Sequence, residues 1–388
     1  MNIKEVITSF NMNSTVVSYI DAHSFPEEDK LYFPSVSKPT CIGAYSVSPF
    51  ESFERNVSRM RFIDIPPSYR FPLNLRNPNR QVEPLKPPQE RIDNMLIFIE
   101  SMWQKLLRKD DTRLVVNADV VCTKEVLELI MFAPFEYKYG WTLGVSRFRK
   151  TIYICVLDRN QPDNFDQDNL RRVMQEDWLK NLRKQCLSDN GKGKPNKRDV
   201  SDENSRCNAA FSFELNGQHI LFDSPVIAEF DPNKFSSTQS YAWSDLQLRV
   251  DNMTRNEWAV HNRTESIKWW IRSFLIGMDH IYVANRDDNA FVRSIKRTPI
   301  QDLYRDSDET KPFYSTHFLK RFLSCITQVM GEIDNPSTVY TFEYDAKLGK
   351  VTHRGLEGRN QHTFVADWFR LMLDDRLEDA HELQRMNN

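Results

Sequence analysis

Glycine is scarce: the chain has 11 among 388 residues, well under the usual share of about 7%. Phosphate-cradling loops need closely spaced glycines, and neither a GxGxxG nor a P-loop occurs. The six cysteines, Cys41, Cys122, Cys155, Cys186, Cys207 and Cys325, are scattered with no Cys-x-x-Cys pair. That spacing points to reduced packing residues and away from a zinc site or a disulfide framework. Histidine is also sparse, with no HExxH, and there is no GxSxG. No apolar run approaches the roughly 20 residues that cross a bilayer. The first residues, MNIKEVITSFNMNST, lack a signal-peptide pattern, so a cytosolic or nuclear protein is expected. An excess of one charge is missing too. Lys+Arg number 52 and Asp+Glu 54, a net charge of -2, which excludes a basic coat for nucleic acid.

What is abundant is core material. Hydrophobic residues make up 40% and aromatics 12%, with 25 Phe. Prolines crowd residues 64–88 and predict an extended strap over the surface. Helices are expected over about 90–107, after Thr123 as a cap, over about 166–186 (Leu170, Val173, Met174, Trp178 and Leu182 in one stripe), after Thr264 as a cap up to Gly277, near 315–330 and near 363–373. Strands are expected over 113–122, 151–158 and 246–250. Hairpins are expected at 209–222 around Asn216-Gly217, at 280–295 and at 339–354. Residues 188–206 are almost without apolar side chains and read as a disordered loop, with a candidate nuclear-import run in Lys192–Arg198. Residues 376–388 read as a flexible tail. The mixture predicts one continuous α+β domain over 1–388.

Spacing alone exposes little chemistry. Glu229-Phe230-Asp231 follows a strand, and alternate carboxylates there point to one side and could share a divalent cation. The plainer reading is a solvated strand end. Trp269 and Trp270 are neighbours on a helix and face different sides, Trp270 with the core stripe and Trp269 either over a strand or against a base.

Three segments carry a family resemblance. Phe132-Ala-Pro-Phe-Glu136 with Gly140–Phe148 and Thr151–Tyr153, then Ile267–Leu275 (IKWWIRSFL) with Gly277, then His280–Val292, resemble blocks of the DXO family of RNA decapping exoribonucleases. The likeness spans roughly residues 20–372. HNRTESIKWW, FDSPVIAE and GRNQHTFVADWFRLMLDD resemble an insect germline branch of that family. The resemblance implies a DXO-like α+β domain with two mixed or antiparallel sheets flanked by helices.

Active members of the family hold divalent metals with an Arg near a Gly, a helical Glu, a Glu-x-Asp, a Glu-x-Lys and a Gln after the KWW. Carried over, the Arg is Arg147 with Lys150 in place of the Gly. The helical Glu falls on Asn181, the Glu-x-Lys on Gln247 and Arg249, and the Gln on Arg272. The Glu-x-Asp falls on Pro225 and Ile227, or in a second register on Glu229 and Asp231. Magnesium binds poorly without carboxylates, so the resemblance implies a pseudo-enzyme with no metal, no cofactor and no catalytic residue. Arg147, Lys150, Arg249, Lys268 and Arg272 would then hold a 5′-phosphorylated RNA end. The alternative is a collapsed pocket whose arginines pair with acidic neighbours. By resemblance the protein is expected in the nucleus as an adaptor with the heterochromatin reader Rhino and the linker Deadlock, protecting nascent piRNA precursors and opposing their splicing or termination. The proline strap and the C-terminal helix are candidate partner surfaces. Rival expectations are an active nuclease using Glu229 and Asp231, and a pure scaffold without RNA.

Overall fold

The computed structural model describes residues 19–26, 32–76, 92–110, 113–160, 167–189, 205–229, 242–308, 310–331 and 333–386. The chain opens with five short to medium strands, β1 (Tyr19–Asp21), β2 (Thr40–Val47), β3 (Phe53–Glu54), β4 (Phe62–Ile63) and β5 (Leu73–Asn74). Helices α1 (Asp93–Ser101) and α2 (Trp103–Leu106) lead to β6 (Leu107–Asp110), β7 (Arg113–Val116) and β8 (Val120–Thr123). Then come α3 (Lys124–Phe132), β9 (Gly140–Phe148), β10 (Thr151–Asn160), α4 (Gln167–Cys186) and β11 (Leu187–Ser188). β12 (Arg206–Leu215), β13 (Gln218–Pro225), β14 (Ile227–Glu229), β15 (Ala242–Ser244) and β16 (Leu246–Val250) follow. The last part holds α5 (Arg255–His261), α6 (Ile267–Ile276), β17 (His280–Arg286), β18 (Phe291–Pro299), α7 (Ile300–Asp306), α8 (Thr310–Met330), β19 (Val339–Asp345), β20 (Lys350–Leu356) and α9 (Asp367–Met386).

A ten-stranded mixed sheet runs β1-β20-β19-β9-β10-β8-β13-β12-β2-β3. Its centre is parallel, with β8 between β10 and β13, and its wings are antiparallel. One face is covered by α3, α6 and α8, whose Ile130, Trp270 and Phe322 share a core with Trp141 and Phe222. The other face is covered by α1 and α9 through Met95, Ile99 and Phe369. Beside it lies a four-stranded sheet, β16-β17-β18-β5, against which α4 lays Leu182 and Cys186. The α+β domain is as expected, but the described strands form four sheets, the remaining two being β11-β4-β14-β15 and the hairpin β6-β7.

Local chemistry explains the elements. Asn216 and Gly217 both take positive φ, 49° and 81°, so a two-residue type I′ turn joins Leu215 to Gln218. In α6, Ile267, Trp270, Ile271 and Leu275 follow the helical period into the core. Gly277 ends it at φ 69°, and Met278 N–H bonds back to Ser273 O at 2.9 Å.

Several expectations need correcting. The strand over 113–122 is broken at Asn117–Asp119, where Asn117 N–H turns to Leu106 O and the Asp119 carboxylate accepts the N–H of His219. Thr123 stands at the start of α3 without a side-chain cap bond. Thr264 caps nothing. Helical backbone begins ten residues earlier, where Thr254 and Glu257 form a reciprocal capping box on α5, and a π turn over 262–266 joins α5 to α6. Met174, placed on the buried stripe of α4, is 40% exposed. Of the proline strap, residues 64–76 are anchored, with Leu73 and Leu75 buried and β5 joined to a sheet, and residues 77–88 lie outside the described residues. α9 continues to Met386, through most of the stretch expected as a tail. Within 188–206, Ser188 and Arg206 lie in strands; residues 190–204, including the basic run, lie outside the described residues.

Candidate functional site: a cationic cleft

Between the large sheet and the β16-edged sheet lies a cleft of about 620 Å³. α3 supplies Glu125, Glu128 and Phe132 to it. α4 supplies Arg171, Arg172, Gln175, Glu176 and Leu179, at spacings that put most of them on one helical face. The edge strand β16 supplies Gln247 through Val250, α6 supplies Lys268, Trp269, Ile271 and Arg272, and β17 ends in it at Arg286. The pocket is therefore open and has not collapsed.

Seven of the lining side chains are cationic and five are carboxylates. Four of the five carboxylates are engaged by cations or backbone N–H groups. Glu125 pairs with Arg159. Glu128 lies 3.4 Å from Lys124 and 3.3 Å from Arg272. Glu265 lies 3.3 Å from Lys268. Glu136 accepts the backbone N–H groups of Lys138 and Tyr139 at 2.9 and 3.2 Å. Glu176 is half-buried, and burial raises its carboxyl above the usual range despite the nearby Arg172, Lys180, Arg159 and Arg272.

The cations divide. Arg272 is held protonated by Glu128, and its side chain stays 38% accessible to the cleft. Arg249 donates twice to the Asn285 side-chain oxygen, at 3.1 and 3.0 Å, and its guanidinium lies 4.8 Å from the Trp258 ring centre. Arg286 donates to the Gln175 oxygen at 3.1 Å and lies 4.4 Å from the Trp178 ring. Burial lowers the pKa of both. Stacked guanidinium groups with neutral acceptors keep positive charge to offer an anion. His261, at the same wall, has its pKa pushed down to about 4 by burial and is neutral at pH 7.

A divalent metal does not fit this donor set. Gln247 brings a neutral amide, whose Nε2 donates to Asp245 at 2.5 Å. Four of the carboxylates are paired with cations or accept backbone N–H groups, and burial raises the pKa of the fifth, Glu176. Among the described residues no three His, Cys, Asp or Glu side chains are grouped to hold an ion. Magnesium and calcium require several anionic oxygens in one shell.

Of the expected site residues, Gln247, Arg249, Lys268 and Arg272 converge on the cleft. Arg147 and Lys150 do not. They lie at the far end of the β9–β10 hairpin, where Arg147 bonds to Gly331 O and Lys150 pairs with Asp110 at 2.6 Å. β9 enters the cleft at Gly140, and a strand advances about 3.3 Å per residue, so Arg147 is roughly 20 Å along it. Lys150 keeps φ at 68°, the conformation that favours the glycine expected there. Asn181 is also misplaced: it turns away from the cleft and donates to Leu75 O at 2.8 Å. The carboxylate that α4 presents to the cleft is Glu176, five residues before the position expected.

Pro225 is exposed at the end of β13 and Ile227 half-buried in β14, and neither lines the cleft. Glu229 is occupied elsewhere. Tyr282 OH donates to one of its oxygens at 2.7 Å, and His280 Nε2 lies 3.0 Å from the other. Asp231 lies outside the described residues. Trp269 and Trp270 are both buried, at 3% and 4% exposure, and Trp269 meets His261 edge to face.

Comparison with known proteins bears on the fold and the family. A family model described as RAI1 like PD-(D/E)XK nuclease matches residues 37–370. Protein cutoff of Drosophila melanogaster is 46% identical over 371 residues, which cover 95% of this chain and 96% of that protein. The decapping and exoribonuclease protein of Bos taurus is 25% identical over 364 residues, covering 90% of this chain and 89% of its own. The crystal structure of Candida albicans Rai1 in complex with pU5-Mn2+ superimposes with a TM-score of 0.70 at 11% identity, covering 93% of this chain and 99% of that one.

Proposed function

Because the chain belongs to the RAI1-like PD-(D/E)XK nuclease family, we propose that it is a pseudo-nuclease of that family, one that holds the 5′-phosphorylated end of an RNA strand without cutting it. The carrying observation is the cleft itself, in which cations outnumber carboxylates and four of the five carboxylates are taken up by cations or backbone N–H groups. In Candida albicans Rai1 the ligand is pU5 with Mn2+. Here the guanidinium groups of Arg249, Arg272 and Arg286 supply positive charge themselves. They bind phosphate oxygens through charge-assisted hydrogen bonds. Without a metal-activated water, a bound phosphodiester has no nucleophile prepared beside it. A strand end held this way is shielded from exonucleases.

The biological setting rests on likeness to Protein cutoff. We place the protein in the nucleus as an adaptor that works with Rhino and Deadlock. There it protects nascent piRNA-precursor transcripts and suppresses their splicing or termination.

The test is incubation with 5′-monophosphate and capped RNA in Mg2+ or Mn2+, with filter binding in parallel. The expected result is no cleavage, together with binding that weakens roughly tenfold or more in Arg249→Ala/Arg272→Ala, the loss of two charge-assisted contacts. Cleavage that disappears in Glu176→Ala or Glu229→Ala overturns the pseudo-enzyme reading. A second reading, a scaffold without RNA contact, is favoured by the Arg272–Glu128 and Lys268–Glu265 pairs, which offset part of the positive charge. Absence of RNA affinity in the same assay decides for it.

A further inference from the structure

We propose that the exposed ring pair Tyr137 and His23, with Tyr19 on the strand leading into it, is a stacking subsite for unpaired nucleobases of the strand leaving the cleft. The inference rests on the RNA-holding reading and extends it from the strand end to the bases behind it.

Tyr137 stands between Glu136 and Tyr139, two residues of the cleft wall. Glu136 draws in the N–H groups of Lys138 and Tyr139, and the Tyr137 side chain between them is left 64% exposed. The His23 ring lies against it, with centroids 5.2 Å apart and planes 10° from parallel. His23 is held in a turn, since its N–H and that of Ser24 both donate to Asp21 Oδ1. Beneath it passes the turn between β19 and β20. Gly349 there has φ 63°, and a Cβ at that position would come within 2.1 Å of the His23 ring. Glycine is what lets the imidazole lie on the backbone. Tyr19 is 50% exposed, with the Lys350 ammonium 4.1 Å from its ring centre.

Three elements distant in sequence thus converge to present flat π-surfaces to solvent at the rim of a cationic cleft. The nearby carboxylates of Glu136, Asp21 and Asp345 are each turned onto backbone N–H groups. Lys138 and Lys347 are exposed on the same rim, where a phosphodiester backbone would pass. Aromatic rings interleaved with lysines are the equipment of single-strand binding, in which each base stacks regardless of its identity. Continuity with the cleft and the exposed lysines beside the rings favour a nucleic acid over an apolar protein segment.

The experiment measures affinity of the full chain for 5′-monophosphorylated RNAs of about three and about twelve nucleotides, below and within the site sizes of strand-binding surfaces. The longer RNA is expected to bind roughly tenfold tighter, the worth of a stacked base. Tyr137→Ala and His23→Ala should remove that gain and leave the short RNA unaffected, while Tyr137→Phe keeps it. Arg249→Ala should weaken both lengths. A full length gain in Tyr137→Ala, or no gain in the unaltered protein, overturns the subsite alone. No affinity at either length removes the RNA-holding reading and this inference with it. Loss of protein capture in Tyr137→Ala with RNA binding intact would assign the patch to a protein and overturn the proposal.

Discussion

Glu176 shows what happens to a carboxylate in this cleft. Arg172, Lys180, Arg159 and Arg272 all favour its charged form, yet burial outweighs them and its pKa is raised. The folded protein therefore binds this proton more readily than the unfolded chain. The linked stability is fully present below the ordinary glutamate pKa and is lost as pH rises through the raised value. Glu176→Gln removes the ionisation and keeps the shape. It is expected to raise the Tm at pH 7 and to have little effect in acid, where both side chains are neutral. Thermal melts of the two proteins across pH check this, and a Tm that falls at pH 7 refutes the account. Arg272 is the opposite case, a cation kept charged by Glu128. Together these residues make the cleft a poor host for Mg2+.

At the scale of elements, α5 is the least anchored helix that touches the cleft. None of its residues is buried, so its stability depends on its cap. Thr254→Ala breaks the capping box and is expected to cost about 1 kcal/mol locally. Thr264→Ala removes only a bond to Val260 O within the helical segment and should cost less. Hydrogen exchange over residues 255–261 checks both; equal effects would deny Thr254 its capping role. The same pair shows what was legible in the sequence. The periodicity of Ile267, Trp270, Ile271 and Leu275 and the stop at Gly277 were plain, because apolar spacing and glycine conformation are local. The start was misread, because a π turn carries the helix past Thr264 without a break in sequence pattern. The hairpin at Asn216-Gly217 was legible for the same local reason. The rotation of α4 was not. Its polar residues occur on more than one face, and only packing against Leu75 decides that Asn181 turns away while Gln175 and Glu176 turn in. Arg147 and Lys150 were misplaced because a motif gives adjacency in sequence, whereas a nine-residue strand carries its two ends to opposite sides of the sheet.

The whole molecule carries a net charge of -2, so attraction to RNA cannot come from its overall field. In the proposed reading it comes from the cleft, where cations exceed carboxylates by two. Binding should therefore involve few phosphates and depend modestly on salt. For a single strand, log K falls by about 0.7 per phosphate neutralised for each unit of log salt. Two or three contacts predict a loss of roughly tenfold between about 50 and 200 mM salt. Arg249→Ala should reduce the slope by about 0.7, one phosphate's worth. EDTA should leave the affinity of the unaltered protein unchanged, because guanidinium groups and not a divalent ion meet the phosphate. A salt titration of binding with and without chelator measures all three. A much steeper slope would point to a diffuse basic surface, and release by EDTA would mean that a metal is held after all. Either outcome would contradict the central feature of the cleft, a neutral amide at Gln247 beside fixed positive charge at Arg249 and Arg272.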